Sequence, residues 1–204
     1  MIIQYSKVAC SILLSLLAVI LFFQNQIEER KFCMVAMILS SIGDIFMTDV
    51  LKLGSSGTIP GAVFFILAHI VYAICFFRAG KRNQYRIVNN GFIFGVLLTV
   101  FSFVLISVLM FSISGRVQEM YVPILGYLSF IGINLVSQFS YGFNKKGRYY
   151  FLPVAMMLFL ISDLLVFMPM LSIAQESVIY NLVVWVLYLP AQLLIILFNS
   201  EKCE

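Results

Sequence analysis

Two aspartates lie inside segments that otherwise have the composition of membrane-spanning helices. Asp44 falls in MVAMILSSIGDIFM and Asp163 in FLPVAMMLFLISDLLVF. A carboxylate in the middle of such a helix costs roughly 2.5–3.5 kcal/mol of insertion free energy, so it usually faces a protein interior and serves a function. Two carboxylates in a site of low dielectric constant can divide the roles of acid and base between them. The two segments therefore indicate acid–base chemistry inside a bilayer.

Hydroxyl groups accompany both aspartates, which leaves a second interpretation open. Ser40 and Ser41 come one turn before Asp44, and Ser162 directly precedes Asp163. Buried carboxylates that bond to such hydroxyls can serve helix packing alone. Catalysis and packing both remain possible interpretations of this pattern.

The composition places the chain among membrane proteins. Of its 204 residues, 62% are hydrophobic and only 11% are charged, whereas a soluble domain carries about 25% charged residues. The mean hydropathy is +1.05. We expect one transmembrane domain over residues 1–204.

The net charge of +4 comes from basic residues in short loops. No stretch of alternating basic and aromatic residues indicates a nucleic-acid partner.

Seven apolar runs are long enough to form spanning helices, which need about 20 residues. They cover approximately residues 7–23, 32–51, 59–78, 88–112, 120–141, 150–169 and 178–198. Continuous apolar runs of this length are typical of helices rather than of a membrane barrel, whose strands alternate. We therefore predict an all-α, polytopic membrane helix bundle with seven transmembrane helices. The first run resembles a signal peptide but lacks a cleavage site after it, so we expect it to be retained.

The basic residues predict the orientation, because Lys and Arg are enriched in cytoplasmic loops. With the N-terminus outside, ten of the thirteen fall on the cytoplasmic side, and only Lys7, Lys52 and Arg116 fall on the other. We predict a bacterial-type inner (cell) membrane protein with a cytoplasmic C-terminus. In that orientation Asp44 and Asp163 lie level with one another, roughly 10 Å below the outer boundary at about 1.5 Å per residue.

Polar and aromatic side chains recur at helical spacing on several of the predicted spans. The stripes are Lys7, Ser11 and Ser15; Phe65, His69, Tyr72 and Phe76; Tyr127, Asn134 and Gln138; and Asn181, Trp185, Tyr188 and Gln192. Lipid cannot satisfy their polar groups, so we expect the stripes to converge on an interior, with the fourth helix at the periphery. Gly91 and Gly95 form a GxxxG pair, which favours close helix packing.

A metal centre is not expected. The chain has a single histidine, His69, so a three-histidine zinc site cannot form within one chain. Asp44 and Asp163 alone would give a hard cation few ligands. The four cysteines show the spacing of neither a disulfide framework nor a zinc knuckle. We predict no metal and no other cofactor.

Four stretches of the chain resemble the YhhN family, whose animal members are lysoplasmalogenases. They are SSIGDIF at 40–46, GAVFFILAHIVYAICFF at 61–77, PVAMMLFLISDLLV at 153–166 and LYLPAQLLI at 187–195. PILGYLSFIGI at 123–133 is similar more loosely. Two departures stand out. Val8 follows Lys7 where family members commonly have proline, and the helix that usually precedes this segment is expected to be missing. Pro153, Val154 and Ala155 stand where the family has glycine–alanine before the sixth-span motif. Substrate entry along that missing helix is expected to differ.

The resemblance implies hydrolysis of the vinyl ether bond of a lysoplasmalogen, a lysophospholipid in the surrounding membrane lipid, to a fatty aldehyde and a glycerophospho-alcohol. Enol ethers are protonated at carbon and the resulting cation is captured by water. This requires one acid and one carboxylate that activates water, a division also used by glycosidases. The sequence does not distinguish the two roles; the preferred assignment is Asp163 as the acid and Asp44 as the base. The residues expected to bind or orient substrate and water are Lys7, Ser41, His69, Tyr72, Tyr127, Asn134, Ser162, Tyr188 and Gln192.

Two other functions are compatible with the same residues. One is a small lipid-binding or proton-coupled transport protein that uses the polar core without hydrolytic turnover. It would be expected to show internal repeats or broken helices, which many carriers have. The other is an enzyme that hydrolyses a different lipid ether or ester.

Overall fold

The computed structural model describes residues 2–48, 50–53, 57–112, 118–145, 147–171, 173, 175 and 177–198. Within these ranges the structure is helical and contains no strand. The helices are α1 (Ile2–Gln24), α2 (Glu28–Met47), α3 (Thr58–Arg82), α4 (Asn90–Ser112), α5 (Gln118–Lys145), α6 (Phe151–Met170) and α7 (Val178–Phe198), with a short 3-10 helix at Gly147–Tyr150. Four residues of the charge and cysteine analysis, Arg116, Lys146, Lys202 and Cys203, lie outside the described residues.

Six of the helices are long and apolar enough to cross a membrane, so the chain is an all-helical membrane protein. The six are α1 and α3 to α7. Helix α2 is not among them, because it begins with the charged run EERK and carries Asp44 near its other end. The expectation of seven spanning helices is thus supported for six.

Helix α2 lies four residues earlier in the chain than its apolar run predicts. It begins at Glu28 because Ile27 is extended, with φ −85° and ψ 153°, and acidic residues in a first turn are favoured by the helix dipole. It ends at Met47 because Thr48 leaves the helical conformation, with φ −85° and ψ 5°. The N–H (3.0 Å) and Oγ1 (2.7 Å) of Thr48 both donate to the Asp44 carbonyl. Asp44 is therefore the fourth residue from the end of its helix.

Six helices form a closed ring in the order α1, α2, α3, α5, α6, α7, and α4 packs outside this ring against α5. The predicted peripheral position of the fourth helix is confirmed. Gly91 and Gly95 make this contact close: a Cβ added to Gly91 would lie 2.3 Å from the Phe139 carbonyl oxygen, and one on Gly95 would lie 2.9 Å from the Val136 Cα. The GxxxG pair therefore has the packing role that its spacing favours.

Helices α2 and α3 are held together at both ends. Near Asp44, a Cβ on Gly43 would lie 2.9 Å from the Phe65 ring and 3.2 Å from the Gly61 carbonyl oxygen, so only glycine permits this approach. At the opposite end, Arg78 donates to Glu28 at 2.8 Å, and Arg82 pairs with Glu29. These contacts place Asp44 inside the ring rather than on its outer surface.

Candidate active site

Asp44 joins three helices at one buried carboxylate. Its side chain is only 3% exposed. Its Oδ2 accepts one hydrogen bond from the Ser11 hydroxyl on α1 and another from the Tyr188 hydroxyl on α7, at 3.0 Å. An ionised carboxylate is stabilised by such donors in a buried site. Asp44 therefore has the surroundings of a carboxylate that can hold a charge.

The serines near Asp44 form a small hydroxyl cluster between α1 and α2. The Ser41 Oγ lies 2.9 Å from the Ser11 Oγ and 2.6 Å from the Ser15 Oγ. It also donates to the Ser11 carbonyl oxygen at 2.9 Å. The Ser40 Oγ is buried without a partner among the described residues. The serine hydroxyl that bonds Asp44 thus comes from Ser11 on the facing helix, and Ser41 holds Ser11 in place.

A chain of hydrogen bonds continues from Asp44 towards the middle of the bundle. The Gln192 Nε2 donates to the Tyr188 hydroxyl oxygen at 3.2 Å. The Tyr72 hydroxyl on α3 donates to the Gln192 Oε1 at 3.0 Å. Because all three side chains are buried, the orientation of the Tyr188 hydroxyl is fixed towards Asp44.

Lys7 lies on the other side of Tyr188, towards the start of α1 and α7. Its Nζ is 5.3 Å from the centre of the Trp185 ring, within reach of a cation–π interaction. The Trp185 and Tyr188 rings contact edge to face at 5.2 Å. Lys7 is 8% exposed, so its ammonium group borders the buried cluster rather than extending into open surroundings.

Asp163 is the centre of a second set of contacts. It is 7% exposed, and its Oδ2 accepts a hydrogen bond from the Tyr127 hydroxyl on α5 at 3.0 Å. The His69 Nε2 on α3 lies 3.9 Å from the same oxygen, which is beyond hydrogen-bond distance. On its other side the His69 ring contacts the Asn134 amide at 3.0 Å.

Ser162 does not belong to the contacts of Asp163, although it is adjacent in sequence. Its hydroxyl donates to the Val184 carbonyl oxygen on α7 at 3.2 Å. It therefore joins α6 to α7. Its expected role in orienting substrate or water gains no support from this position.

The two carboxylates belong to one cluster. Phe159 packs between their partners, with its ring 5.0 Å from the His69 ring and 5.3 Å from the Tyr188 ring. Asp44 and Asp163 are thus connected through Tyr188, Phe159 and His69. Every helix of the ring contributes a polar group to this cluster: Ser11, Asp44, His69, Tyr127, Asp163 and Tyr188, in the order of the ring.

The structure brings together most of the residues that the sequence selects, and adds others. Lys7, Ser41, His69, Tyr72, Tyr127, Asn134, Tyr188 and Gln192 all border the cluster of the two aspartates. Ser11, Ser15 and Phe159 were not selected as site residues. The first two share a stripe with Lys7, so helical spacing is the signal that could have found them.

The chemistry of the cluster is that of its carboxylates, phenols and imidazole. Among the residues that the structure describes, no three His, Cys, Asp or Glu side chains lie close enough together to hold a metal ion. Two buried carboxylates with separate hydroxyl donors can transfer and accept protons. This is the chemistry that the arrangement supports.

Comparison with known proteins identifies a family. The model of the YhhN family matches residues 4–198, which is nearly the entire chain. No curated protein and no solved structure matches the chain.

Proposed function

The chain belongs to the YhhN family, and on that premise we propose that it is a membrane-embedded lysoplasmalogenase. It cleaves the vinyl ether bond of an alkenyl-glycerophosphocholine or -ethanolamine to a fatty aldehyde and a glycerophospho-alcohol. The observation that carries the proposal is the pair of buried carboxylates, Asp44 and Asp163, in one cluster to which all six helices of the ring contribute.

The hydrogen bonds support a division of roles between the two aspartates. Asp44 accepts two hydroxyl donors on one oxygen, whereas Asp163 accepts one. Donors stabilise the charged form of a carboxylate, so Asp44 is assigned as the ionised base and Asp163 as the protonated acid. Asp163 gives its proton to the alkene carbon that does not carry the ether oxygen. The π electrons of the double bond form the new C–H bond.

The positive charge left by this step is shared by the ether oxygen and the carbon attached to it. Asp44 stabilises the charge and accepts a proton from a water molecule as the water oxygen bonds to that carbon. The resulting hemiacetal collapses when its hydroxyl proton moves to the glycerol oxygen, which releases the aldehyde and the alcohol. Asp44 then releases its proton to solvent, and a proton from solvent returns Asp163 to its protonated form.

Lys7 is proposed to bind the phosphate of the headgroup as a point charge. It lies beside the cluster, over Trp185 and one turn before Ser11 on α1. Lys7→Gln is expected to raise the KM for lysoplasmalogen at least several-fold with little change in kcat, since the phosphate is remote from the reacting carbon. A change confined to kcat would contradict this role.

We also propose that α2 crosses the membrane and that the N-terminus is outside. Helix α2 packs between α1 and α3, both of which are apolar enough to span. A crossing α2 is required if α1 and α3 are to start at the same membrane face. The excess of basic residues at the other face supports the orientation.

The direct test is incubation of detergent-purified protein with a lysoplasmalogen, with the released aldehyde measured by mass spectrometry. The matched control is the saturated ether lipid of the same chain and headgroup, which has no double bond to protonate. Aldehyde from the vinyl ether alone supports the proposal. A folded protein that binds the lipid but releases no aldehyde would overturn it in favour of lipid binding or transport. Cleavage of an ester lysophospholipid instead would indicate a different lipid hydrolase.

A further inference from the structure

The side chain of Asn134 has its orientation fixed by three contacts. Its Nδ2 lies 3.0 Å from the His69 Nδ1 and 3.5 Å from the Met156 sulfur. Its Oδ1 accepts a hydrogen bond from the Gln138 Nε2 at 3.0 Å. A thioether sulfur accepts hydrogen bonds but cannot donate them. Reversing the amide would turn its oxygen towards the sulfur, so the NH₂ group faces Met156 and His69.

This orientation determines where the His69 ring carries its proton. Because the Asn134 NH₂ group donates to Nδ1, that nitrogen is the acceptor and a neutral imidazole must be protonated at Nε2. Protonating Nδ1 as well would place its N–H against the NH₂ group of Asn134 with no acceptor between them, at a ring that is only 1% exposed. His69 is therefore a neutral Nε2–H donor.

That N–H group has no partner among the described residues, although it is buried. The Asp163 Oδ2 on α6 lies 3.9 Å from the Nε2, and this oxygen already accepts the Tyr127 hydroxyl. Buried donors without an acceptor are rare in folded proteins. A donor held just beyond bonding distance from a carboxyl group is suited to a state in which that group carries more negative charge.

We propose that His69 is a positioning residue that acts through Asp163, and that Asn134 keeps its ring in the required tautomer. The inference rests on the proposed function. When Asp163 transfers its proton to the substrate carbon, its carboxyl group becomes negative. The His69 Nε2–H then closes from 3.9 Å to the usual distance of about 2.9 Å and hydrogen-bonds to Oδ2. His69 itself neither gives nor takes a proton.

Such a contact would lower the energy of the transition state more than that of the bound substrate, because it forms as the charge develops. It would therefore act on kcat and leave KM nearly unchanged. A residue that only fills space would not separate the two constants in this way.

The tautomer can be measured without substrate. His69 is the only histidine in the chain, so protein labelled with ¹⁵N-histidine gives the nitrogen signals of this ring alone. We expect Nε2 to be protonated and Nδ1 to be unprotonated at neutral pH. A ring protonated at Nδ1, or at both nitrogens, would overturn the inference. Since no turnover is involved, this result is independent of whether the proposed function is correct.

Two substitutions of His69 test the position of the donor. A glutamine amide can present its N–H near the Nε2 position, whereas an asparagine amide reaches only the Nδ1 position. His69→Asn is expected to lower kcat about 10- to 100-fold, the effect of one lost hydrogen bond to a charged group. His69→Gln is expected to recover most of this loss. Equal losses in the two variants, or losses mainly in KM, would refute the role.

Asn134→Asp tests the partner of the ring. A carboxylate at this position accepts from Nδ1 and so transfers the ring proton from Nε2 to Nδ1. We expect the ¹⁵N pattern to change and kcat to fall with little change in KM. A ring protonated at Nδ1 alone, together with an unaltered kcat, would show that the tautomer does not matter for the reaction, and would overturn the proposal.

Discussion

Replacing either aspartate by asparagine separates a catalytic role from a packing role. Both carboxylates accept their hydrogen bonds through Oδ2: Asp44 from Ser11 and Tyr188, and Asp163 from Tyr127. An asparagine can place its amide oxygen where Oδ2 lies and keep these donors. The substitution removes the charge of Asp44 or the transferable proton of Asp163.

The structure therefore predicts a large effect on turnover and a small effect on folding. At Asp44, the ionised base, each retained hydrogen bond changes from a charge-assisted bond of about 1.5–3 kcal/mol to a neutral one of about 0.5–1.5 kcal/mol, whereas the bond to the protonated Asp163 is neutral before and after the substitution. This loss is offset because a charge no longer has to be buried. We expect thermal unfolding in detergent to change little. Loss of an acid or a base lowers turnover about 10²- to 10⁴-fold, so each variant should lose at least about 10²-fold in kcat.

The assay is aldehyde release from lysoplasmalogen by the two single variants and by the double variant Asp44→Asn/Asp163→Asn. Because the two groups act in one step sequence, the double variant should be little worse than the worse single variant. Near-wild-type turnover by either single variant would refute the acid–base mechanism. Multiplying losses in the double variant would show that the two aspartates act independently of each other.

Three further predictions test other parts of the structure. Tyr188→Phe removes one of the two donors to Asp44 and should lower kcat about 10-fold or more in the aldehyde assay; an unchanged kcat would exclude a role for this donor. Gly91→Ala should destabilise the fold by about 1–3 kcal/mol in thermal or denaturant unfolding, because its Cβ would overlap the α5 backbone. The matched control Gly126→Ala, which meets open space, should be neutral. In a cysteine-free background, Lys81→Cys should react with an impermeant maleimide only in opened membranes; labelling of intact cells would reverse the proposed orientation.

Helical spacing within one span was enough to predict which faces are buried. Two stripes point into the ring, that of His69 and Tyr72 and that of Tyr188 and Gln192. They do so because lipid offers polar groups no hydrogen-bond partners. The peripheral position of α4 follows from the same rule, since its run is almost wholly apolar. These features depend on local sequence alone, and local sequence predicted them.

Contacts between helices could not be predicted in this way. Ser162 and Asp163 are adjacent in sequence, but neighbouring residues point about 100° apart on a helix of 3.6 residues per turn, so Ser162 contacts α7 and Asp163 contacts α5. The bond from Ser11 to Asp44 depends on the register between α1 and α2, about which the spacing within either helix carries no information.

The end of α2 was missed for a related reason. Val50 and Leu51 are apolar, so the predicted span was extended through them although Thr48 and Asp49 come first. The helix nevertheless ends at Met47. Thr48 leaves the helical conformation there, with φ −85° and ψ 5°, and its hydroxyl donates to the Asp44 carbonyl oxygen. A turn of this kind is decided by backbone hydrogen bonds rather than by hydrophobicity.

The partners of α2 also bear on how the protein is made. On the proposed topology this is the helix least suited to leave the translocon alone, because it carries Asp44 at one end and four charged residues at the other. The Asp44 carboxylate is bonded by Ser11, which is synthesised earlier, whereas Glu28 and Glu29 pair with arginines at the end of α3, which is synthesised later. Helix α2 would therefore enter the lipid as one arm of a hairpin with α1, and become securely anchored only once α3 has been synthesised.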